Sequence, residues 1–401
     1  MAEAPRTRHP LVVALGLATG PMVAVGLARF AYSLLLPLMR SDLHWTLGQA
    51  GAMNTANALG YLAGALGAGP LLTRAGSRRP YLVGITVTAL SVLAMAGTGN
   101  FALLLALRLV AGVAGALVFI AGGALVAALV GRVHSGRATA ILGSYFAGPG
   151  AGIVVSALVV PPVAGLGGAA SWRWGWVVLG GTSLLITLAV SVPACLRSPE
   201  APVAGGRGAG DTWPVRGLVP IMVGYLLFGG GYIAYLTFIV AFLESEGLGG
   251  TAVMVFWAVL GMAAVAAPLA WGPILPRLRA GMGPAAVLAT TAVGAAIPLL
   301  SRTAAGDFAS AILFGGAFLT VVTATTNLAR RWLAAVQVAP AIAVMTVFFG
   351  AGQSVGPVLA GVLSEGPRGF RTGLALSVGL LAAGAVAALF QRPLRSAVRK
   401  G

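Results

Sequence analysis

The sequence predicts an all-α membrane protein with twelve transmembrane helices arranged as two six-helix pseudo-symmetric bundles. Three observations carry this expectation. Of 401 residues, 58% are hydrophobic and only 8% are charged, whereas a soluble domain needs about 25% charged residues to cover its surface. Apolar runs near the length of roughly 20 residues that spans a bilayer recur along the whole chain. The pattern of the first half then returns in the second, with Leu11 standing against Gly217. Glycine is abundant at 59 copies; it weakens helices in water but is tolerated in a bilayer, where it lets helices approach closely.

Taken in order, the first run covers 11–39 and holds one charge, Arg29, far from either end. The second, 46–72, carries Asn54, Asn57 and Tyr61 at i, i+3 and i+7, a polar stripe on an apolar helix. Runs three and four cover 80–98 and 101–130, the fourth enclosing Arg108. The fifth, 138–164, contains Gly148-Pro149; proline removes a ladder hydrogen bond, so a bend is expected there. The sixth, 175–196, encloses Cys195, which is the single cysteine, excludes an intrachain disulfide and reads as a small packing residue.

Residues 197–216 are the longest polar interruption, with Arg197, Glu200, Arg207, Asp211 and several prolines. They read as a linker between an N-terminal bundle (1–196) and a C-terminal bundle (217–401). Six runs follow, at 217–243, 251–275, 284–300, 308–329, 338–364 and 372–391. The seventh carries a stripe of Tyr225, Phe228, Tyr232 and Tyr235 around Gly229-Gly230-Gly231. Those glycines would soften the helix, and the aromatics would either close over a ligand or simply pack. Thr323 and Asn327 lie in the tenth run, and Gln353 and Gly356-Pro357 in the eleventh. Gly356-Pro357 is the expected counterpart of Gly148-Pro149, so both helices should bend at matching places.

The net charge of +17 raises nucleic-acid binding, but the cations form no single basic face. They sit in short clusters between apolar runs. With a cytoplasmic N-terminus, 18 of the 25 fall on the cytoplasmic side and 5 opposite, with Arg29 and Arg108 left inside spans. That asymmetry predicts that both termini and the linker are cytoplasmic. No Asp, Glu, Lys or His lies well inside any span, and His9, His44 and His134 all sit near loops. An internal carboxylate relay is therefore not expected. There is also no phosphate-binding loop, metal-ligand cluster or nucleophile–base–acid set, so the reading assigns no enzyme activity, catalytic residue, metal or cofactor. No cleavable signal peptide is expected.

Three motifs stand in the expected spans. Gly69-Pro-Leu-Leu-Thr-Arg74-Ala-Gly76-Ser-Arg78-Arg79 follows the second run. Arg108-Leu-Val-Ala-Gly112-Val-Ala-Gly115 lies in the fourth, and Gly143-Ser-Tyr-Phe-Ala-Gly148-Pro149-Gly150-Ala-Gly152 in the fifth. Together with the repeat they resemble the major facilitator superfamily over nearly the whole chain. The resemblance implies a secondary carrier working by alternating access, with its site near the midplane between the halves. It also implies gating or coupling roles for Arg74, Arg78, Arg108, Gly148, Pro149, Gly356 and Pro357. One departure stands out: Thr73 replaces the usual Asp of the loop motif. The stretches 26–40 and 49–61 resemble the YbfB/YjiJ-type bacterial branch. This implies a multi-pass protein of the bacterial cytoplasmic membrane; the expected partners are lipid and a small molecule, with no nucleic acid, and the expected state is a monomer.

Arg29 is the most informative residue. It lies about 15 Å from the end of its span at Met39 by helical rise, and a charge at that depth costs at least ~2.5 kcal/mol. It either faces a cavity as an anion contact, or snorkels outward or bonds backbone carbonyls. Organophosphate antiporters of the superfamily resemble this chain in placing an Arg eight residues before a Pro in helix one. Their second Arg, in helix seven, is absent here. A single guanidinium fork suits a carboxylate better than a doubly charged phosphate. Tyr32 and Ser33 at i+3 and i+4 should share its face. The candidate substrate contacts are Arg29, Tyr32, Ser33, Asn54, Asn57, Tyr61, Tyr225, Tyr232, Asn327 and Gln353, for a small organic anion. The alternatives are a broad-specificity efflux carrier of hydrophobic compounds and a non-transporting sensor on a carrier fold.

Overall fold

The computed structural model describes residues 10–133, 135–164, 168–200, 215–301, 303–333 and 335–393. Arg6, Arg8, His9, His134, Arg207, Arg302, Arg395, Arg399 and Lys400, with most of the 197–216 linker, lie outside the described residues. The described residues form twelve long helical segments and no strand. They are α1 (Pro10–Leu43), α2 (Leu47–Ala75), α3 (Arg78–Gly97), α4 (Phe101–Val130), α5 (Ser135–Ala164) and α6 (Trp172–Arg197). The second set is α7 (Val215–Ser245), α8 (Gly250–Trp271), α9 (Met282–Leu300), α10 (Ala304–Trp332), α11 (Ala335–Leu363) and α12 (Phe370–Leu389). Eleven of the twelve are long and apolar enough to cross a membrane. The exception is α2, which has the length at 29 residues but spends positions on Gln49, Asn54, Asn57 and Arg74.

Three of the helix starts carry side-chain caps. Thr46 Oγ1 accepts the Gln49 backbone N–H at 3.1 Å while Gln49 Oε1 accepts that of Thr46 at 3.0 Å, a reciprocal capping box that begins α2. Asn100 Oδ1 accepts the Leu103 N–H at the start of α4, and Thr303 Oγ1 that of Gly306 at the start of α10, each as a single cap. Helix α1 is irregular: residues 22–30 wind as a π-helix directly after Pro21, which has no amide to continue the ladder. The Ala31 N–H reaches back five residues to Gly26 O at 3.1 Å, and Leu34 then reaches only three, to Ala31 O. The winding changes twice within one turn of Arg29.

The packing repeats between the two sets of helices. Helix α1 packs on α5, α2 on α4, and α3 on α4 and α6; correspondingly α7 packs on α11, α8 on α10, and α9 on α10 and α12. Across the sets, α2 meets α11, α5 meets α8, and residues 32–43 of α1 meet α7. Glycines set the closest approaches. A Cβ on Gly26 would lie 2.5 Å from the Gly152 Cα, and one on Gly356 would lie 2.6 Å from the Gly230 Cα. Only small residues permit such crossings.

The two Gly-Pro sites do not sit in the same surroundings. A Cβ on Gly148 would meet Ala18 O of α1, whereas one on Gly356 would meet Gly230 of α7, and the Pro357 carbonyl faces Gly51 of α2. Helical winding runs unbroken through both prolines. The triple glycine of α7 likewise interrupts nothing; Gly229 and Gly230 take the close approach of α11 and Gly231 that of α12.

Candidate functional site

A cavity of about 1520 Å³ lies between the two sets of helices. Its deepest residues are Arg29 and Phe30 of α1, and it runs to the helix ends at Gly272, Arg279, Arg330 and Arg331. No Asp or Glu among the described residues lines it. The three arginines at the mouth are exposed and give it one sign of charge, which concentrates anions at such an opening.

Beyond Arg29 the cavity is shut by contacts that cross between the sets. Ser33 Oγ donates to Leu236 O, and Asn54 Nδ2 donates to Thr237 Oγ1 at 2.7 Å. Thr55 Oγ1 donates to Ser354 O at 2.8 Å, and the Gly48 N–H to Glu365 at 3.0 Å. Here α2 and α11 touch backbone to backbone: a Cβ on Gly51 would strike the Pro357 carbonyl, and one on Gly361 that of Leu47. Pro357 thus belongs to the closed end, while Pro149 lines the cavity.

Arg29 is only 3% exposed. Its Nη2 donates to Gln353 Oε1, its guanidinium carbon stands 5.7 Å from the Tyr61 ring centroid, and its Nε is buried without a partner. The same Gln353 oxygen accepts the Tyr232 hydroxyl at 3.0 Å, and the Gln353 Nε2 has no partner. Arg29, Tyr61, Tyr232 and Gln353 therefore form one cluster; the first three line the cavity, while Gln353 is buried outside its lining. Tyr225 and Asn327 line the cavity further out, with Thr323.

Four expected contacts fall elsewhere. The Tyr32 hydroxyl donates to Ala50 O at 2.9 Å and its ring stacks on Trp176, while Ser33 and Asn54 belong to the closed end. Asn57 Nδ2 donates to Arg108 O at 3.0 Å. None of the four lines the cavity; their polar groups join helices instead. Tyr32 and Ser33 follow, after Ala31, on the π-helical stretch that ends at Phe30.

The two membrane arginines differ sharply. Arg108 is fully buried with a partner at each guanidinium nitrogen: it donates to Ala28 O, to Met53 O at 3.1 Å and to Asn54 Oδ1, with its guanidinium over the Tyr32 ring. It is a tie between α1, α2 and α4. Arg78, after α2, pairs with Glu200 at 3.2 Å and donates to Ser198 O. Glu200 also accepts the Ser77 and Arg78 backbone N–H groups at 2.6 and 3.2 Å. Gly76 has φ +71°, and a Cβ there would lie 2.5 Å from that carboxylate, so glycine is required twice over. Glu200 supplies acid at a loop whose Thr73 hydroxyl only donates to Pro70 O. Arg74 is exposed at the same turn, and Gly148 packs against Ala18 of α1.

Sequence reasoning missed the mouth arginines as cavity residues, the rings of Phe30, Phe318 and Phe349, and the part played by Glu200. Within apolar runs a cavity-facing phenylalanine carries no signal that sets it apart from a lipid-facing one.

The family model described as "Uncharacterised MFS-type transporter YbfB" matches residues 21–389. Among curated relatives, the probable multidrug-efflux transporter Rv1634 of Mycobacterium tuberculosis is 29% identical over 279 residues, covering 65% of this chain and 55% of the relative. A chloramphenicol resistance protein of Streptomyces lividans is 35% identical over 159 residues, 38% of this chain and 36% of that one. The chain spans about half the length, or less, of the curated relatives it matches. Among solved structures, a mutant form of the nucleoside transporter NupG superposes with a TM-score of 0.73 at 14% identity, over 95% of this chain and 99% of that one. An inward-facing, occupied bacterial homolog of the human lysosomal transporter Spinster gives 0.71 at 16% identity, over 97% of both chains.

Proposed function

This chain belongs to the YbfB-type family of the major facilitator superfamily of transporters, and from that premise we propose that it moves a small organic anion across the bacterial cytoplasmic membrane by alternating access. The observation that carries the reading is Arg29, a buried guanidinium lining the cavity and bonded to a neutral amide rather than to a carboxylate. An unneutralised charge at that depth normally faces a partner or a pathway. The all-cationic mouth supports the same sign of substrate. On this reading twelve helices span the membrane as bundles 1–196 and 217–401 joined by 197–216, with both termini cytoplasmic. The cavity then opens inward, and the protein works as a monomer.

A second reading is a broad-specificity exporter of hydrophobic compounds. It is favoured by the aromatic lining and by what two relatives are named for. A cationic drug would find no carboxylate in this cavity, which sets the two readings apart.

The test is ligand-induced thermal stabilisation of the purified protein with carboxylates, phosphates and lipophilic cations. Arg29→Lys keeps the charge but loses the planar fork, so carboxylate affinity should fall by roughly 1.5–3 kcal/mol. Arg29→Ala should abolish carboxylate binding and leave the unliganded melting temperature nearly unchanged. A destabilised Arg29→Ala protein that binds carboxylate at wild-type affinity would overturn the assignment.

A further inference from the structure

We propose that the anion is a flat aromatic carboxylate, its carboxylate at Arg29 and its ring on a wall formed by Tyr225, Phe228, Tyr232 and Phe349. The proposal rests on the anion reading above and narrows it. Gln353 Oε1 accepts from Arg29 and from the Tyr232 hydroxyl together. A carboxylate oxygen displacing that amide would keep both donors, and charge makes each bond stronger. The head group would thus be fixed beside Tyr232, with the rest of the molecule directed along the wall that Tyr232 begins.

The rings of that wall are stacked on one another. Tyr225 and Phe349 lie 4.6 Å apart at 10° between planes, and Phe228 and Tyr232 4.7 Å apart at 18°. Phe228 and Phe349 are at 12°, and Tyr225 and Phe228 at 2°. Packed aromatic cores mix edge-on with offset-parallel pairs; here rings from two helices, α7 and α11, share one orientation. All four line the cavity. The edge-on contacts occur at the blind end, where Phe30 meets Tyr232 at 90° and Phe318 at 67°. A conjugated ring added to this stack at Phe349, the least buried of the four, meets a quadrupole-matched face. A saturated ring of the same size meets only area.

The sign of the expected preference follows. Cyclohexanecarboxylate is the more apolar partner of benzoate at equal charge and carbon number, so simple area burial would favour it. Stacking should reverse the order, with benzoate binding about 3- to 10-fold more tightly. Titrate both acids, with benzyl alcohol as the neutral probe, into the purified protein and follow tryptophan fluorescence, since Trp271 and Trp332 line the cavity. Phe349→Leu should remove the benzoate preference while holding cyclohexanecarboxylate affinity within about twofold, which also reports that the variant is folded. Equal affinities in the wild type would overturn the aromatic inference and leave the anion reading standing. Benzyl alcohol binding as tightly as benzoate, or benzoate affinity unmoved by Arg29→Ala, would overturn both.

Discussion

Gln353 offers a perturbation with two opposite outcomes at one position. Its Oε1 holds Arg29 and the Tyr232 hydroxyl at once, while its Nε2 bonds to nothing. Gln353→Glu places a carboxylate where the amide oxygen stands and neutralises the site from within. A unit charge about 4 Å away is worth roughly 4 kcal/mol at an effective dielectric constant near 20. Losing that attraction should weaken a bound monoanion by about 3–4 kcal/mol, two to three orders of magnitude in Kd. Gln353→Leu does the reverse. It removes the competitor for Arg29, so carboxylates should bind about 1 kcal/mol more tightly, the net value of one replaced hydrogen bond. The unliganded protein should melt lower, because a buried guanidinium has lost its partner. Isothermal titration with benzoate, beside melting curves without ligand, reads all four quantities. If both substitutions move affinity in the same direction, Gln353 acts through packing and the displacement argument fails.

Other outcomes follow from the same geometry. Arg108→Leu strands two carbonyls and the Asn54 amide oxygen, so stability should fall by 3 kcal/mol or more, equally with and without carboxylate in melting curves. Asn54→Val removes a bond to Thr237 that closes the end of the cavity beyond Arg29. Spin labels at the exposed Arg40 and Arg368 should then report a new population at longer distance, and an unchanged distribution would remove Asn54 from the gate. Reporter fusions at Gly206 and Lys400 should both read cytoplasmic, and an outside signal at either would break the twelve-span map.

The helices were legible because bilayer-length apolar runs need no tertiary information; each predicted run lies within a few residues of an observed segment. Arg29 was legible for the same reason, since an intramembrane charge is conspicuous in any register. The neighbours of Arg29 were not. Tyr32 and Ser33 stand three and four residues on, but their hydroxyls bond Ala50 O and Leu236 O, which only the packing of α1 against α2 and α7 reveals. Asn54 and Asn57 share a stripe as expected, but only the fold reveals that it faces Thr237 and Arg108 rather than the cavity. Gly148-Pro149 and Gly356-Pro357 looked equivalent because the dipeptides match. Their different contacts, Gly148 against Ala18 of α1 and Pro357 against Gly51 of α2, are made between helices and leave no local mark.

If the chain is an anion carrier as proposed, the lack of a carboxylate beside Arg29 among the described residues has an electrical consequence. With a monoanion bound, the site sums to zero; without one, it carries a full positive charge. Moving one elementary charge through 100 mV involves about 2.3 kcal/mol. Across a membrane that is negative inside, the empty carrier is therefore drawn toward its inward-facing form, and turning outward unloaded works against the field by up to that amount. The loaded carrier turns without electrical work in either direction. A transporter wired this way runs most easily when it is loaded on both strokes, trading one anion for another.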